Sequence, residues 1–260
     1  MEIESYKIAQ ISDLHCGDPR FEEGLLLSAI REINEAQPKI AVICGDLTTA
    51  GYRDEFEQAK TYIDMIECPV KIVTAGNHDH RNLGYLHFES IFGTRYRAFD
   101  LEFGLPSKDN FQSRIKFVAV DSAKPDLNDG EIGREQYDWM RDEFNIEHAY
   151  KVFVLHHHLV SIPGTGRERN IVLDAGDVLA RLRGIGVELV LCGHKHVPYV
   201  WPVANMLIVN SGTVSTLRTR GYTPPSYNIV TVTPGTVIVT TRTPGEDFAE
   251  EWSFPRSPVF

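Results

Sequence analysis

Short apolar runs that alternate with helix-like segments constrain this chain more than any other feature. The runs "KIAQI" (7–11), "IAVI" (40–43), "KIVTA" (71–75), "KFVAV" (116–120), "KVFVL" (151–155) and "ELVLC" (188–192) are rich in β-branched residues and do not alternate strictly. A strand wetted on one face alternates polar with apolar; a strand covered on both faces does not, so these runs predict strands buried between layers. Between the first two, "FEEGLLLSAIREINEA" sets Leu26, Ile30 and Ile33 along one helical face, and Pro38 stops it. "RDEFEQAKTYIDMI" and "REQYDWMRDEF" repeat that pattern, while "DAGDVLARLRGIG" opens on Asp174 as an N-cap and closes on Gly184. The alternation predicts a layered α/β domain.

After Gly193 the character changes. "MLIVNSGTVS" and "SYNIVTVTPGTVIVTTRTPG" read as strands with Thr-Pro-Gly turns at 233–235 and 243–245, and "YNIVTV" is expected to pair with "TVIVTT" as a hairpin. Residues 246–260 are acidic at their start, carry Trp252 and Phe254, and read as a tail or arm against the core or a neighbour. No repeat, low-complexity tract or linker divides the chain, so residues 1–260 are expected to form a single domain.

Composition removes several classes of protein. A chain with 42% hydrophobic and 24% charged residues is neither disordered nor a disulfide-dense scaffold. Its net charge of −10 argues against a surface that grips nucleic acid all over, although a local basic channel stays open. Cys16, Cys44, Cys68 and Cys192 form no CxxC pair, and they read as buried thiols in a reducing compartment. The N-terminus lacks a basic region followed by an apolar one, and no run reaches the ~18 apolar residues of a membrane span. The expectation is a cytoplasmic protein without a membrane partner.

In open α/β sheets ligands bind beyond the carboxyl ends of strands. Here "SDLH" follows the first run, "GDL" the second, "GNHDH" the third, "HHHL" the fifth and "GHKH" the sixth. Taken singly each is weak, because Asp after a strand commonly caps a turn and paired histidines can sit in a solvated loop. "HHH" at 156–158 cannot all point one way along an extended chain, so at most one or two can serve. Jointly the clusters predict a metal site, with oxygen and imidazole donors that suit Mn, Fe, Co or Zn and not a thiolate zinc cage.

Asp13-Leu14-His15, Gly45-Asp46, Gly76-Asn77-His78-Asp79, His157 and Gly193-His194-Lys195-His196 together resemble the calcineurin-like metallophosphoesterases, over residues 13–196. The resemblance implies an αββα sandwich of two mixed sheets and a pair of divalent transition-metal ions (Mn, Fe or Zn). Within that superfamily "GNHDHR" and "LHHHL" are most similar to the bacterial cyclic-nucleotide and glycerophosphodiester phosphodiesterases. Carried over, the pattern implies that Asp13, His15 and His196 hold one ion, that Asn77, His157 and His194 hold the other, and that Asp46 bridges them. His157 is taken from the triplet because the family's ligand lies two residues before a proline; Leu159 stands there instead, which leaves His156 as the alternative. His78 is implied as proton donor to the leaving oxygen, with a carboxylate holding its other nitrogen, and a metal-bridging hydroxide as the attacking group. His80 falls outside the ligand set, and Asp79 braces the turn in preference to ligating.

A charge count favours diesters. Two divalent ions, two carboxylates and one hydroxide leave a single positive charge, which a phosphodiester monoanion neutralises and a monoester dianion reverses. "PGTGRERN" (163–170) holds Arg167 and Arg169, which could fork onto a phosphate oxygen or lie solvated on a surface loop. The expected partner is a small phosphodiester, 3′,5′-cyclic nucleotides being the favoured class; nucleic acid is disfavoured, and a homo-oligomer is compatible with the sequence. A phosphomonoesterase or nuclease of the same superfamily is the alternative enzyme, and a catalytically silent binding scaffold is the alternative of another class.

Overall fold

The computed structural model describes residues 5–102, 114–166 and 170–256. Twelve strands appear among them: β1 (Tyr6–Ile11), β2 (Ile40–Cys44), β3 (Val70–Thr74), β4 (Arg97–Glu102), β5 (Arg114–Ala119), β6 (Ala149–Val154), β7 (Leu189–Cys192), β8 (Tyr199–Val203), β9 (Met206–Asn210), β10 (Tyr227–Val232), β11 (Thr236–Arg242) and β12 (Ala249–Pro255). Five α-helices join them: α1 (Glu23–Ala36), α2 (Arg53–Asp64), α3 (Gly84–Phe92), α4 (Arg134–Glu143) and α5 (Ala175–Ile185). The strands form two six-stranded sheets, ordered β12-β11-β10-β1-β2-β3 and β4-β5-β6-β7-β9-β8.

Alternation of side chains along each strand builds the layers. In β2, Ile40, Val42 and Cys44 join a core between the two sheets, whereas Ala41 and Ile43 face the core formed with α1, α2 and α3. In β6, Tyr150, Val152 and Val154 enter the intersheet core, whereas Phe153 and the following Leu155 face the core that includes α4 and α5 residues. Apart from the partly buried Lys151 of β6, both faces of these strands are therefore dry, which is why their sequences are otherwise apolar. The result is the αββα sandwich.

Parallel pairing aligns the ends that matter. β1, β2 and β3 are parallel neighbours in the first sheet, and β5, β6, β7 and β9 run parallel in the second. The carboxyl ends of β1, β2 and β3 thus share one edge, and those of β6 and β7 share another. The expected hairpin is present as the antiparallel β10–β11 pair. Residues 249–255 pair with β11 as an edge strand, with Trp252 and Phe254 packed against the intersheet core.

Asp174 stands at the N-cap of α5 as expected, whereas its carboxylate bonds and the end of the helix differ from expectation. The carboxylate of Asp174 makes no capping bond to α5; it accepts from Ile132 N, Gly133 N and Tyr137 Oη at 3.1, 2.9 and 2.6 Å. The helix closes at Gly186, in the left-handed region with φ 81°, and not at Gly184. Phe117 is wholly buried between the sheets. Phe117→Ala should lower stability by about 3–5 kcal/mol, read from urea unfolding of the two proteins, and a loss below about 1 kcal/mol would show that the sandwich interior closes over the gap.

Candidate metal centre

Each polar cluster sits where a strand ends and its backbone turns sharply. Asp13, His15, Asp46, His194 and His196 all occupy the left-handed region, with φ of 55°, 51°, 49°, 75° and 59°. Such backbone costs a non-glycine residue about 1–2 kcal/mol, so the surroundings must hold it. Asp13 N donates to Gly45 O, His15 N to Asp46 O and Cys16 N to Leu47 O, at 3.0, 3.0 and 2.9 Å, which extends the β1–β2 pairing into the loops. Thr213 Oγ1 donates to Asp13 O and Ser215 Oγ to Leu14 O from the segment after β9.

The motif glycines allow close approach. A Cβ on Gly76 would stand 2.2 Å from Asp46 Oδ1, and one on Gly193 would stand 1.9 Å from Ser12 Oγ. Asp79 braces the same turn as expected. Its carboxylate accepts from Leu47 N, Thr48 N, Thr48 Oγ1 and Gly76 N at 2.8–3.1 Å.

The side chains converge as two groups of donors. Asp13 Oδ1 lies 3.2 Å from His196 Nε2, and the Nε2 atoms of His15 and His196 stand 3.0 Å apart. Nearby, Asn77 Oδ1, His156 Nε2 and His194 Nδ1 form a triangle with sides of 3.0, 3.2 and 3.2 Å. Asp46 Oδ2 joins the two groups, 3.8 Å from His15 Nε2 and 3.4 Å from His156 Nε2. Ligands about 2.1 Å from an ion stand roughly 3.0–3.4 Å from one another, so most of these spacings are those of a coordination sphere. Asp13 Oδ1 and His15 Nδ1 are buried without a hydrogen-bond partner among the described residues, a cost that a cation relieves at the carboxylate. The donor set fits two divalent ions.

A profile of the calcineurin-like phosphoesterases matches residues 6–198, which include every one of these donors. The chain belongs to that family. A probable cyclic nucleotide phosphodiesterase of Synechococcus sp. is 27% identical over 202 residues, 74% of each chain. Among solved structures, purple acid phosphatase PPD1 from yellow lupin seeds superposes with a TM-score of 0.74 at 13% identity over 98% of this chain, which spans 54% of the lupin protein. GAP50, the anchor in the inner membrane complex of Plasmodium, gives 0.70 at 11% identity over 95% of this chain and 88% of its own. At such identities the likeness is one of fold.

His157, expected from sequence as a ligand, is placed outside the two groups of donors. Its Nε2 donates to Asn128 O at 3.2 Å and its Nδ1 accepts from Ser122 Oγ at 2.9 Å, so neither ring nitrogen is spare. His156 occupies the place beside Asp46 and His194 instead. His157 serves the loop before α4, where a Cβ on Gly130 would lie 2.5 Å from its ring. His158 stacks on His194, with centroids 5.6 Å apart. His80 lies apart, its Nε2 3.2 Å from Asp121 Oδ1.

His78 joins the groups, a ring nitrogen lying within 4.8 Å of donor atoms of His15 and Asp46. Its other contacts differ from expectation, because Nδ1 donates 2.7 Å to the Thr49 carbonyl and not to a carboxylate. Arg167 and Arg169 lie outside the described residues. Cys16, Cys44 and Cys192 are buried, which pushes their thiols up, Cys16 to about 12; none belongs to a donor group. Sequence reasoning missed Asn128, whose Oδ1 accepts from Asn77 Nδ2 at 3.3 Å. It lies in "DLNDG", a turn-like string with no motif to mark it.

Burial and charge poise the donors. Burial drives His15 down to about 3, only partly opposed by Asp46, and burial with neighbouring imidazoles depresses His194 well below the ordinary value. Burial alone would raise both carboxylates, yet His196 beside Asp13 and His156 beside Asp46 hold them low. Burial opposes the charge on His156, but Asp46 and Asp13 prevail and raise it to about 9. Burial and the charge of Asp46 raise Asp79 to about 6. An ion held by His156 would therefore have to displace a proton at neutrality. Zinc titrations should release about one proton from His156 at pH 7, and apparent affinity should fall as pH drops below about 9. Calorimetry in buffers of different ionisation enthalpy reads both, and no proton release would exclude His156 as a displaced ligand.

Proposed function

We propose that this chain is a dinuclear-metal-dependent phosphodiesterase that hydrolyses small phosphodiesters, with 3′,5′-cyclic nucleotides as the favoured class. The observation that carries the proposal is the position of Asp46 Oδ2 within 3.8 Å of a donor in each group, with Asp13 the other carboxylate among those donors. Two carboxylates neutralise half the charge of two divalent ions. Seated there, the ion pair supplies Lewis acidity and a nucleophile at neutral pH. With that nucleophile counted as a hydroxide, one positive charge is left over, which matches the single negative charge of a diester. The sequence likeness to the Synechococcus protein supports the cyclic-nucleotide class.

The chain's own residues would position the substrate and move the proton. Asp13, His15 and His196 form one holding group, and Asn77, His156 and His194 form the other. His78 is held at two points: its backbone N donates to Asp46 Oδ1 at 2.8 Å, and Nδ1 donates to Thr49 O. Nε2 is left to carry a proton to the leaving oxygen. Burial depresses the pKa of His78, with Asp46 opposing, so its protonated form is a stronger acid than an ordinary imidazolium.

Hydrolysis of bis(p-nitrophenyl) phosphate against the mono-aryl ester, with added Mn and with chelator, tests the reaction class. The expected result is chelator-sensitive turnover with a higher kcat/KM for the diester; preference for the monoester would overturn the diesterase proposal, and no turnover by metal-loaded protein would favour a binding scaffold. A panel of cyclic nucleotides and glycerophosphodiesters then tests the substrate class, and poor turnover of every cyclic nucleotide beside rapid turnover of another diester would reject it. His78→Ala should retain both ions and lose about 10²–10⁴-fold in kcat. Loss of an ion in that variant would make His78 a ligand instead, the second role that its place beside His15 and Asp46 allows.

A further inference from the structure

We infer that Arg81 is a positioning residue that orients Asn77 and His78 at once, an inference that rests on the two-metal proposal above. A guanidinium carries donors only. Its Nη2 donates to Asn128 Oδ1 at 3.2 Å, so the amide of Asn128 must turn its oxygen toward the arginine. That same oxygen accepts from Asn77 Nδ2 at 3.3 Å. Asn77 must then present Oδ1 on its other side, where it meets His194 Nδ1 and His156 Nε2. Flipped, Asn77 would offer an NH₂ group there, which has no lone pair suited to a cation. The polarity of the arginine thus passes through one amide to decide which atom of the next amide faces the ion.

The other arm of the fork reaches His78. Nη1 of Arg81 donates to Thr49 O at 3.2 Å, the carbonyl that also accepts from His78 Nδ1. With both bonds made, that carbonyl sits fixed and the imidazole keeps its proton on Nδ1. Arg81 is itself anchored through the next residue. Asn82 N donates to Asp126 Oδ1 at 3.2 Å, and Asn82 Nδ2 donates to Ala50 O at 3.0 Å, so the arginine bridges the loops after β2 and β5. The main chain of Asn128 is held as well, since its carbonyl accepts from His157 Nε2 and from Asn170 Nδ2 at 2.9 Å. Lysine could not replace the arginine here. One ammonium is a point charge and does not fork between two acceptors at fixed angles.

Cobalt(II) titration by calorimetry and visible absorption, with kinetics on the chromogenic diester, tests the inference on Arg81→Met, Arg81→Lys, Asn128→Ala, Asn128→Asp and the double variant Arg81→Met/Asn128→Ala. Arg81→Met should melt like the wild type, bind the first ion unchanged and the second about tenfold more weakly with an altered cobalt spectrum. Its kcat should fall about 10–100-fold while KM changes little. Arg81→Lys should not rescue it, Asn128→Asp should stay near wild type because a carboxylate accepts from both partners, and the double variant should be no worse than either single. A change confined to KM with an unchanged spectrum would make Arg81 a substrate contact and overturn the inference, as would additive losses or a wild-type-like Arg81→Met. Wild-type protein that binds fewer than two cobalt ions would instead defeat the two-metal proposal before any variant is compared. Wild-type protein that binds two ions without turnover still allows affinity and spectrum to judge Arg81.

Discussion

Two carboxylates withdrawn from water, Asp13 and Asp46, govern the rest of the molecule. A buried carboxylate is tolerable only where donors and positive charge surround it. Asp13 Oδ2 takes bonds from Ser12 Oγ and from the backbone N of His194, and Asp46 Oδ1 takes one from the backbone N of His78. Asp13 is thereby tied to the loop after β7, which locks the two sheets together at their polar edge, whereas Asp46 ties the loop after β2 to the loop after β3 within the first sheet. The second oxygen of each is what the imidazoles face. Stability and chemistry draw on opposite sides of the same two groups.

That arrangement explains the backbone conformations around it. To send both the chain and a side chain back toward the intersheet edge, the residues after a strand must reverse within one or two positions, and left-handed backbone does this at the shortest length. Asp and His in that region are strained, and in the loop after β1 they hold because the amides of Asp13, His15 and Cys16 continue the parallel ladder onto the loop after β2. The motif glycines have a different task. Gly76 and Gly193 keep negative φ and are small because Asp46 and Ser12 lie against them.

The layered fold was legible because burial of both faces removes the polar alternation from β1, β2, β3, β5, β6 and β7. Edge strands carry no such mark: β4 is half exposed and reads "RAFDLE", and β8 contains Pro202, so neither stood out from a loop. The choice between His156 and His157 turned on parity. Val152 and Val154 point between the sheets while Phe153 and Leu155 point to the helices, so a continuation of the strand sends His156 inward with the valines. Counting from a proline that this chain lacks could not supply that parity. The end of α5 was ambiguous for a related reason, since "GIG" offers two glycines and only the backbone says which one reverses. Asn128 was invisible because it acts through a turn that exists only once Asn77 and Arg81 have been brought beside it.

The partners chosen for the imidazoles carry a further consequence. His78, His156 and His196 each give their Nδ1 proton to a backbone carbonyl, those of Thr49, Cys44 and Arg218. A carboxylate in that place would make the ring a more basic ligand, but it would also add negative charge behind it. Three such carboxylates would more than cancel the positive charge that two ions keep after Asp13 and Asp46 are counted. Neutral carbonyls fix the same tautomer and ring orientation without that loss. A site built this way stays attractive to an anion although the chain as a whole carries a net charge of −10, because the field at the reacting atoms is set by the nearest groups and the distant surface charges are screened by water and salt.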